Sequence, residues 1–256
     1  MTNLSDTFYP VEEVRFEPIL VLGRYTVLVP DFHARWGVFD YWERERFLSM
    51  EANLRRGDVL FDIGPECGWM SAVFAQFVGP ENICLFEPTH EFWPNIKATW
   101  EANGLALPRA TFCGLVGERT ITPPGVDYDT GGRGGWPATA YGSKLLDATA
   151  YRSIRTHAAA SPQTSIDDFV ACTGIVPAAL TIDVEGAEIL VLRGARETLG
   201  RYRPLVWASL HPEFCLRDYG VVVEEVHELM RSAGYQSEYL ATDHEEHWIF
   251  RPAPCA

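Results

Sequence analysis

Val59-Leu-Phe-Asp-Ile-Gly-Pro-Glu-Cys-Gly-Trp-Met-Ser-Ala-Val-Phe-Ala-Gln-Phe-Val78 is the stretch on which the fold turns. Val59 to Ile63 is a short apolar run closed by Gly64, which reads as a buried strand, and apolar residues return from about Trp69 to Val78 as a helix. Ile83 to Glu87 is a second apolar run, and Phe92, Ile96 and Trp100 then line one face of a helix near His90 to Ala102. Strand, helix, strand, helix in this order predicts right-handed crossovers and a parallel sheet.

The alternation continues on the C-terminal side. Ala110 to Val116 is a third strand, Ala179 to Val184 a fourth and Pro204 to Leu210 a fifth, with helices expected over Ala187 to Leu199 and Val221 to Ala233. These strands are apolar throughout, as strands covered on both faces should be. Tyr235 to Thr242 and His247 to Pro252 leave no room for a helix between them and read as an antiparallel edge pair. On the N-terminal side, Ile19 to Val29 reads as a hairpin turning at Gly23-Arg24, and Glu43 to Arg55 as a helix with Phe47, Met50 and Leu54 on one face. The expected organisation is one compact domain: an N-terminal hairpin and helix extension (1–56) leading into the main α/β unit (57–256). Periodicity lapses in a variable loop, 117–162, which reads equally as a substrate lid or as disorder. Ser165-Ile-Asp-Asp168 matches a capping box opening the next helix.

Composition narrows the partners. The 35 Asp and Glu against 21 Lys and Arg leave a formal net charge of −14 over 256 residues, a field that repels nucleic acid and anionic lipid. No basic-then-apolar leader and no apolar run of membrane-spanning length occurs, so a cytoplasmic protein without membrane insertion is expected. Six scattered cysteines without a CxxC pair read as reduced thiols.

The chemistry concentrates where strands end. Asp62-Ile-Gly64-Pro-Glu66-Cys-Gly68-Trp-Met-Ser71 leaves a strand, turns on glycines and enters a helix, which is where backbone N–H groups and a helix N-terminus meet a cofactor's polar parts. Alone this is compatible with an ordinary βα turn, and it lacks the GxGxxG spacing of dinucleotide sites. Glu87, in Phe86-Glu87-Pro88, ends the next strand, where a carboxylate can accept hydrogen bonds from both hydroxyls of a ribose. Turn and acid together point to a nucleoside-containing ligand.

With these segments the sequence resembles the FkbM-like family of S-adenosylmethionine-dependent methyltransferases. The resemblance rests on VLFDIG with Gly68 and Ser71, LFEP, TSIDDF, and above all Leu180-Thr-Ile-Asp183-Val-Glu185-Gly-Ala-Glu188-Ile-Leu-Val-Leu-Arg-Gly194-Ala. It implies a class I, Rossmann-like, seven-stranded and mostly parallel sheet with one antiparallel strand. It further implies S-adenosylmethionine as cofactor, with Asp62, Gly64, Gly68 and Ser71 toward its methionine end, Glu87 and Pro88 at the ribose, Cys113, Gly114 and Leu115 near the adenine, and Asp183 beside them. This chain has Pro65-Glu66 where the family usually has Ala-Asn, and Ser209 where it has a carboxylate. Pro65 removes a backbone donor, while Glu66 could attract the cofactor's ammonium or sulfonium charge.

Asp183, Glu185 and His211 follow strands and are expected at the carboxyl edge of the sheet. A hydroxyl acceptor needs a base, and His211, with its ordinary pKa near neutrality, is the expected one, oriented by Asp183. The same three residues could instead hold Mg2+. A turn after the strand at His211-Pro-Glu and a helix cap at Asp183-Val-Glu185 are the plain structural readings. The expected activity is O-methylation of a sugar, glycolipid or other small-molecule acceptor. An inactive cofactor-binding module and a nucleotide-sugar-binding enzyme are the alternatives, and a homodimer through the hairpin and edge strands is compatible with the pattern. Of the tryptophans only Trp136, in the glycine-rich loop, is kept as a sugar-stacking residue. His244 and His247 read as solvated.

Overall fold

The computed structural model describes residues 8–39, 41–121, 135–147 and 162–254. Strand β1 (Phe8–Pro10) precedes the hairpin of β2 (Phe16–Val21) and β3 (Tyr25–Pro30), then α1 (Asp31–Ala34) and α2 (Arg44–Asn53). The main alternation runs β4 (Leu60–Ile63), α3 (Trp69–Val78), β5 (Ile83–Phe86), α4 (Trp93–Ala102) and β6 (Ala110–Phe112). Three short strands follow, β7 (Leu115–Val116), β8 (Lys144–Leu146) and β9 (Gln163–Thr164), and then α5 (Ile166–Thr173), β10 (Ala179–Ile182), α6 (Glu188–Arg193) and α7 (Arg196–Tyr202). The chain ends with β11 (Leu205–Leu210), α8 (Pro212–Tyr219), α9 (Val223–Ser232), β12 (Tyr235–Thr242) and β13 (Glu246–Pro252).

Seven strands form one sheet in the order β12-β13-β11-β10-β4-β5-β6. All neighbours pair parallel except β13, which is antiparallel to both β11 and β12. Strand pleating explains why the central strands are apolar on both faces. Leu60 and Leu85 join an apolar cluster with the hairpin, α2, α3 and α4, while Phe61, Ile63, Cys84 and Phe86 join the opposite cluster with α5, α6, α7 and α9. Strand order reverses between β4 and β10, so the carboxyl ends of those two strands flank the crevice where open α/β sheets take their ligands.

Four local readings are corrected. The strand expected over 110–116 stops at Phe112, because the chain turns at Gly114, whose added Cβ would lie 2.5 Å from the Pro162 carbonyl oxygen, and Leu115–Val116 pairs instead with Gln163–Thr164. The helix expected over 187–199 breaks at Gly194, where a Cβ would lie 2.0 Å from the Gly117 carbonyl oxygen. Helix α7 is then capped from elsewhere, by the Asp167 carboxylate accepting from Glu197 N and Thr198 N at 2.9 and 2.8 Å. His211-Pro-Glu opens α8, with Pro212 at its first position and left-handed Gly220 at its end. Trp136 is buried and meets Trp100 edge-on at 5.9 Å, so it packs rather than presenting a face to a sugar.

Ser165 does cap α5, accepting from Asp168 N at 3.1 Å. Within the variable segment, β8 pairs with β1 and Ile121 bridges to Gln163. The remaining loop residues, 122–134 and 148–161, lie outside the described residues. Cys67, Cys84, Cys113, Cys172 and Cys215 are free thiols, and Cys255 is outside the described residues. Among the described residues no helix is long and apolar enough to cross a membrane.

Candidate active site

The βα turn after β4 is built by two glycines. Gly64 has φ +89°, and a Cβ there would fall 1.8 Å from the Asp183 carbonyl oxygen, so only glycine lets the ends of β4 and β10 meet this closely. Gly68, φ +84°, begins α3 against Ile96, and its N–H closes the turn on the Pro65 carbonyl at 2.8 Å. Pro65 thus serves the turn as an acceptor, and the N–H it lacks is not needed to close it. Glu66 between them is left-handed, φ +51°, an unusual backbone for a residue with a side chain.

Three carboxyl groups face this turn. Asp62 is buried at the end of β4 and accepts from the Ser71 hydroxyl at 2.5 Å. Burial pushes its pKa up to about 6, against the lowering influence of Ser71 and Arg46. Glu87, also buried, accepts from Thr89 N at 2.7 Å with one oxygen and from Glu66 N at 3.2 Å with the other. Each oxygen keeps a second lone pair for a further donor. Burial pushes Glu87 up to about 8 despite the Thr89 hydrogen bonds. Glu66 is pushed up to about 7 by burial and by the charges of Glu185 and Glu245. Cys113 and Gly114 are brought beside Glu87, since Gly114 N donates to the Glu87 carbonyl and Glu87 N to the Phe112 carbonyl, each at 3.1 Å, and Pro88 follows Glu87 directly. Leu115 follows, its N–H donating to Pro162 O at 2.8 Å.

Asp183, Glu185 and His211 do converge at the same sheet edge, but in company the sequence reading did not name. His211 Nδ1 lies 2.9 Å from Glu188 Oε1 and its Nε2 lies 2.5 Å from Glu245 Oε2, with Asp183 and Glu185 oxygens each at 3.8 Å. Burial disfavours the imidazolium, but Glu188 and Glu245, with the Asp183 charge, push His211 up to about 12. The expected pKa near neutrality is therefore corrected: the carboxyl groups of Glu188 and Glu245 on either side of the ring favour its imidazolium form. Asp183 is raised well above the usual carboxylate range by burial and by the Glu245 charge, against Arg46 and His211. Glu185 is more open, with its side chain 55% exposed.

Behind Asp183 sits Arg46 of α2, fully buried, whose Nη1 lies 2.8 Å from Glu43 Oε2, 2.7 Å from Ser209 Oγ and 3.3 Å from Asp183 Oδ2. Arg46 also donates to Thr181. Ser209, where a carboxylate was expected by resemblance, thus accepts from an arginine and lies 3.1 Å from His247 Nδ1. The reading of His247 as solvated is overturned by its burial. His244 stacks on Trp42, with ring centroids 4.3 Å apart. The signal for this cluster was present as Glu43 and Arg46 on the apolar face of a helix and as the compact run Asp243-His-Glu-Glu-His247.

Of the three residues named for magnesium, Asp183 and His211 group with Glu245 rather than with Glu185. An imidazole wedged among carboxylates is not the oxygen shell that Mg2+ takes, and these residues do not fit that ion. A groove of about 470 Å³ near Pro212, Leu216, Val222, His227 and Trp248 contains none of the cofactor or catalytic residues named above.

Among solved structures, the chain is similar to a methyltransferase FkbM from Methylobacillus flagellatus at 16% identity and a TM-score of 0.48, covering 78% of this chain but 45% of that one. It is similar to a precorrin-6y C5,15-methyltransferase from Geobacter metallireducens at 12% identity and a TM-score of 0.46, covering 85% and 91%. It is also similar to M. jannaschii TYW2 in complex with AdoMet, at 11% identity and a TM-score of 0.45, covering 93% and 86%. No curated protein matches the sequence. The model of the methyltransferase FkbM domain matches residues 82–237, from the start of β5 into β12 and including Glu87, Asp183 and His211. That match spans more than half of the sequence, and the chain belongs to the FkbM methyltransferase family.

Proposed function

We propose that the chain transfers the methyl group of S-adenosylmethionine to a hydroxyl oxygen of a sugar, glycolipid or other small acceptor. The observation that carries the reading is the convergence, on one sheet edge at the β4/β10 crevice, of the Gly64 turn, the doubly held Glu87 carboxyl and the acid-rich surround of Asp183. Buried Asp62 and Glu87 and partly buried Glu66 have protonation equilibria shifted by burial, as expected of groups whose ligand-borne donors or cationic partners come with a cofactor. Glu87 would hold the ribose with Pro88 beside it. Asp62, Gly64, Gly68 and Ser71 would hold the methionine end, Glu66 would face its positive charge, and Cys113, Gly114 and Leu115 would border the adenine. The bound cofactor supplies an electrophilic methyl on a sulfonium.

For the acceptor's proton, Asp183 is the base this surround supports best. Burial and Glu245 raise its proton affinity while the Arg46 and His211 charges oppose this and favour the carboxylate, the form that can take a hydroxyl proton as the oxygen is methylated. Glu185, at the open edge, would orient the acceptor, and His211 would position Asp183 as a fixed cation. The net charge of −14 favours a neutral or cationic small acceptor over nucleic acid.

The test uses a panel of sugar, glycolipid and polyketide alcohols with isotopically labelled S-adenosylmethionine. Asp183→Asn is expected to lower kcat by roughly 10²–10⁴-fold, the usual worth of a general base, with S-adenosylhomocysteine affinity unchanged within a few-fold. Label found only on nitrogen or sulfur, or a near-native rate in Asp183→Asn, would contradict the reading.

A further inference from the structure

Glu43, His244, Glu245 and His247 bring one ligand atom each to within 4.8 Å of one another, and we propose that they form a binding site for a first-row transition-metal dication such as Zn2+. The four residues come from two places far apart in sequence: Glu43 stands immediately before α2, and the others lie in or beside the turn joining β12 to β13. The proposal does not rest on the methyl-transfer reading, although Glu245 reaches both places, its Oε2 lying 2.5 Å from His211 Nε2.

The outer shell is the strongest argument. Asp243 Oδ1 lies 2.7 Å from His244 Nδ1 and 2.8 Å from His247 Nε2, so one carboxylate engages the outer nitrogen of both rings. This leaves His244 Nε2 facing Glu245 Oε1 at 2.7 Å, and His247 Nδ1 facing Glu43 Oε2 at 3.6 Å and the Ser209 hydroxyl at 3.1 Å, a contact that a bound ion would replace. A carboxylate behind each imidazole is the arrangement that fixes ring orientation and raises basicity in histidine metal sites. The other oxygen of Asp243 accepts from Glu43 N at 2.8 Å, tying the fourth ligand residue into the same frame.

An independent observation points inward as well. The Glu43 side chain is 2% exposed, yet its Oε1 has no hydrogen-bond partner among the described residues, and His244 Nε2 is 4.0 Å from it. An oxygen buried without a partner is costly, and a cation between Glu43 Oε1, Glu245 Oε1 and the two inner ring nitrogens would satisfy it. Arg46 occupies the other Glu43 oxygen, so Oε1 is the atom free to ligate. Two imidazoles and two carboxylates suit a tetrahedral ion with bonds of about 2.0–2.2 Å. The tetrahedron edge is about 3.4 Å from those bonds, so His244 Nε2 and Glu245 Oε1, now 2.7 Å apart, must open, while His244 Nε2 and Glu43 Oε1, now 4.0 Å apart, must close. His244, with 38% of its side chain exposed, is the ring with room to do so.

The experiment is a titration of the chelator-treated, full-length protein with ZnCl2 by calorimetry and with CoCl2 by visible absorption. Expected are one tight equivalent of Zn2+ and the intense visible bands of four-coordinate Co2+. His244→Ala and Glu43→Gln should each weaken binding by at least about 100-fold, and Asp243→Asn by about 10–100-fold, the usual worth of an outer-shell partner. Affinity for S-adenosylhomocysteine should be unchanged in His244→Ala, and His211→Gln should keep the zinc. No stoichiometric Zn2+ binding by the wild type overturns the proposal. So does zinc binding that survives His244→Ala, or that is lost with His211→Gln in a variant shown by circular dichroism to be folded.

Discussion

Glu87 is the residue through which the proposed cofactor site can be read by pH alone. Burial lifts it to about 8, so the free protein carries a neutral Glu87 through most of the neutral range. If ribose hydroxyls bind the carboxylate, the proton must leave first, and affinity falls tenfold for each pH unit below that value. From pH 9 to pH 6 the dissociation constant for S-adenosylhomocysteine should rise by roughly 100-fold, about 2.7 kcal/mol. Glu87→Ala removes the acceptor for two hydrogen bonds to a charged group and leaves Thr89 N and Glu66 N to water. At about 1.5–3 kcal/mol each, the loss at pH 9 should be at least about 3 kcal/mol, or more than 100-fold. At pH 6, where the wild type has already forfeited most of this, variant and wild type should differ by only a few-fold. Calorimetry at both pH values measures it, and the variant-to-wild-type ratio cancels the ligand's own titration. A ratio that is the same at pH 6 and pH 9, or lies within threefold of unity at pH 9, would refute the reasoning.

Three further outcomes are expected. Gly64→Ala cannot be accommodated without separating β4 from β10, given the 1.8 Å approach to the Asp183 carbonyl; it should cost about 3 kcal/mol or more, seen as a lowered denaturation midpoint and loss of S-adenosylhomocysteine binding. The ligand-free protein should melt at higher temperature at pH 6 than at pH 8.5. Glu66 and Glu87, raised to about 7 and about 8, and His211, raised to about 12, all have folded pKa values above their unfolded ones, so their stabilisation is present at low pH and declines as pH rises. His211→Gln should leave buried Glu188 and Glu245 without their cation and lower stability by about 3 kcal/mol, read by urea denaturation. If instead the variant is as stable as the wild type, His211 is not the cation of that cluster.

How far the sequence could be read follows from which forces act locally. Strand β4, helix α3 and the acid at the end of β5 were legible because periodicity and glycine placement act within a few residues, and the crossover rule then ordered the sheet. Where a distant segment intervenes, local reading failed. The break between α6 and α7 depends on Gly194 meeting Gly117, and no window around Gly194 contains that contact. The protonation state of His211 depends on Glu245, which arrives from the turn between β12 and β13. His247 read as solvated because its neighbours in sequence are acidic, whereas its neighbours in space include Ser209 and Glu43. Ser209 looked like a defect beside a family carboxylate until Arg46 was seen to donate to it. Position along the chain thus brought the candidate residues to one sheet edge, while their charge balance emerged only from tertiary contacts.

The central claim is that the crevice between β4 and β10 binds S-adenosylmethionine. Equilibrium dialysis of the purified protein against tritiated S-adenosylmethionine, with and without a large excess of a uridine diphosphate sugar, tests it most directly. The account predicts about one bound equivalent, displaced by S-adenosylhomocysteine and undiminished by the nucleotide sugar. No retained label, or label displaced by the nucleotide sugar, would contradict it.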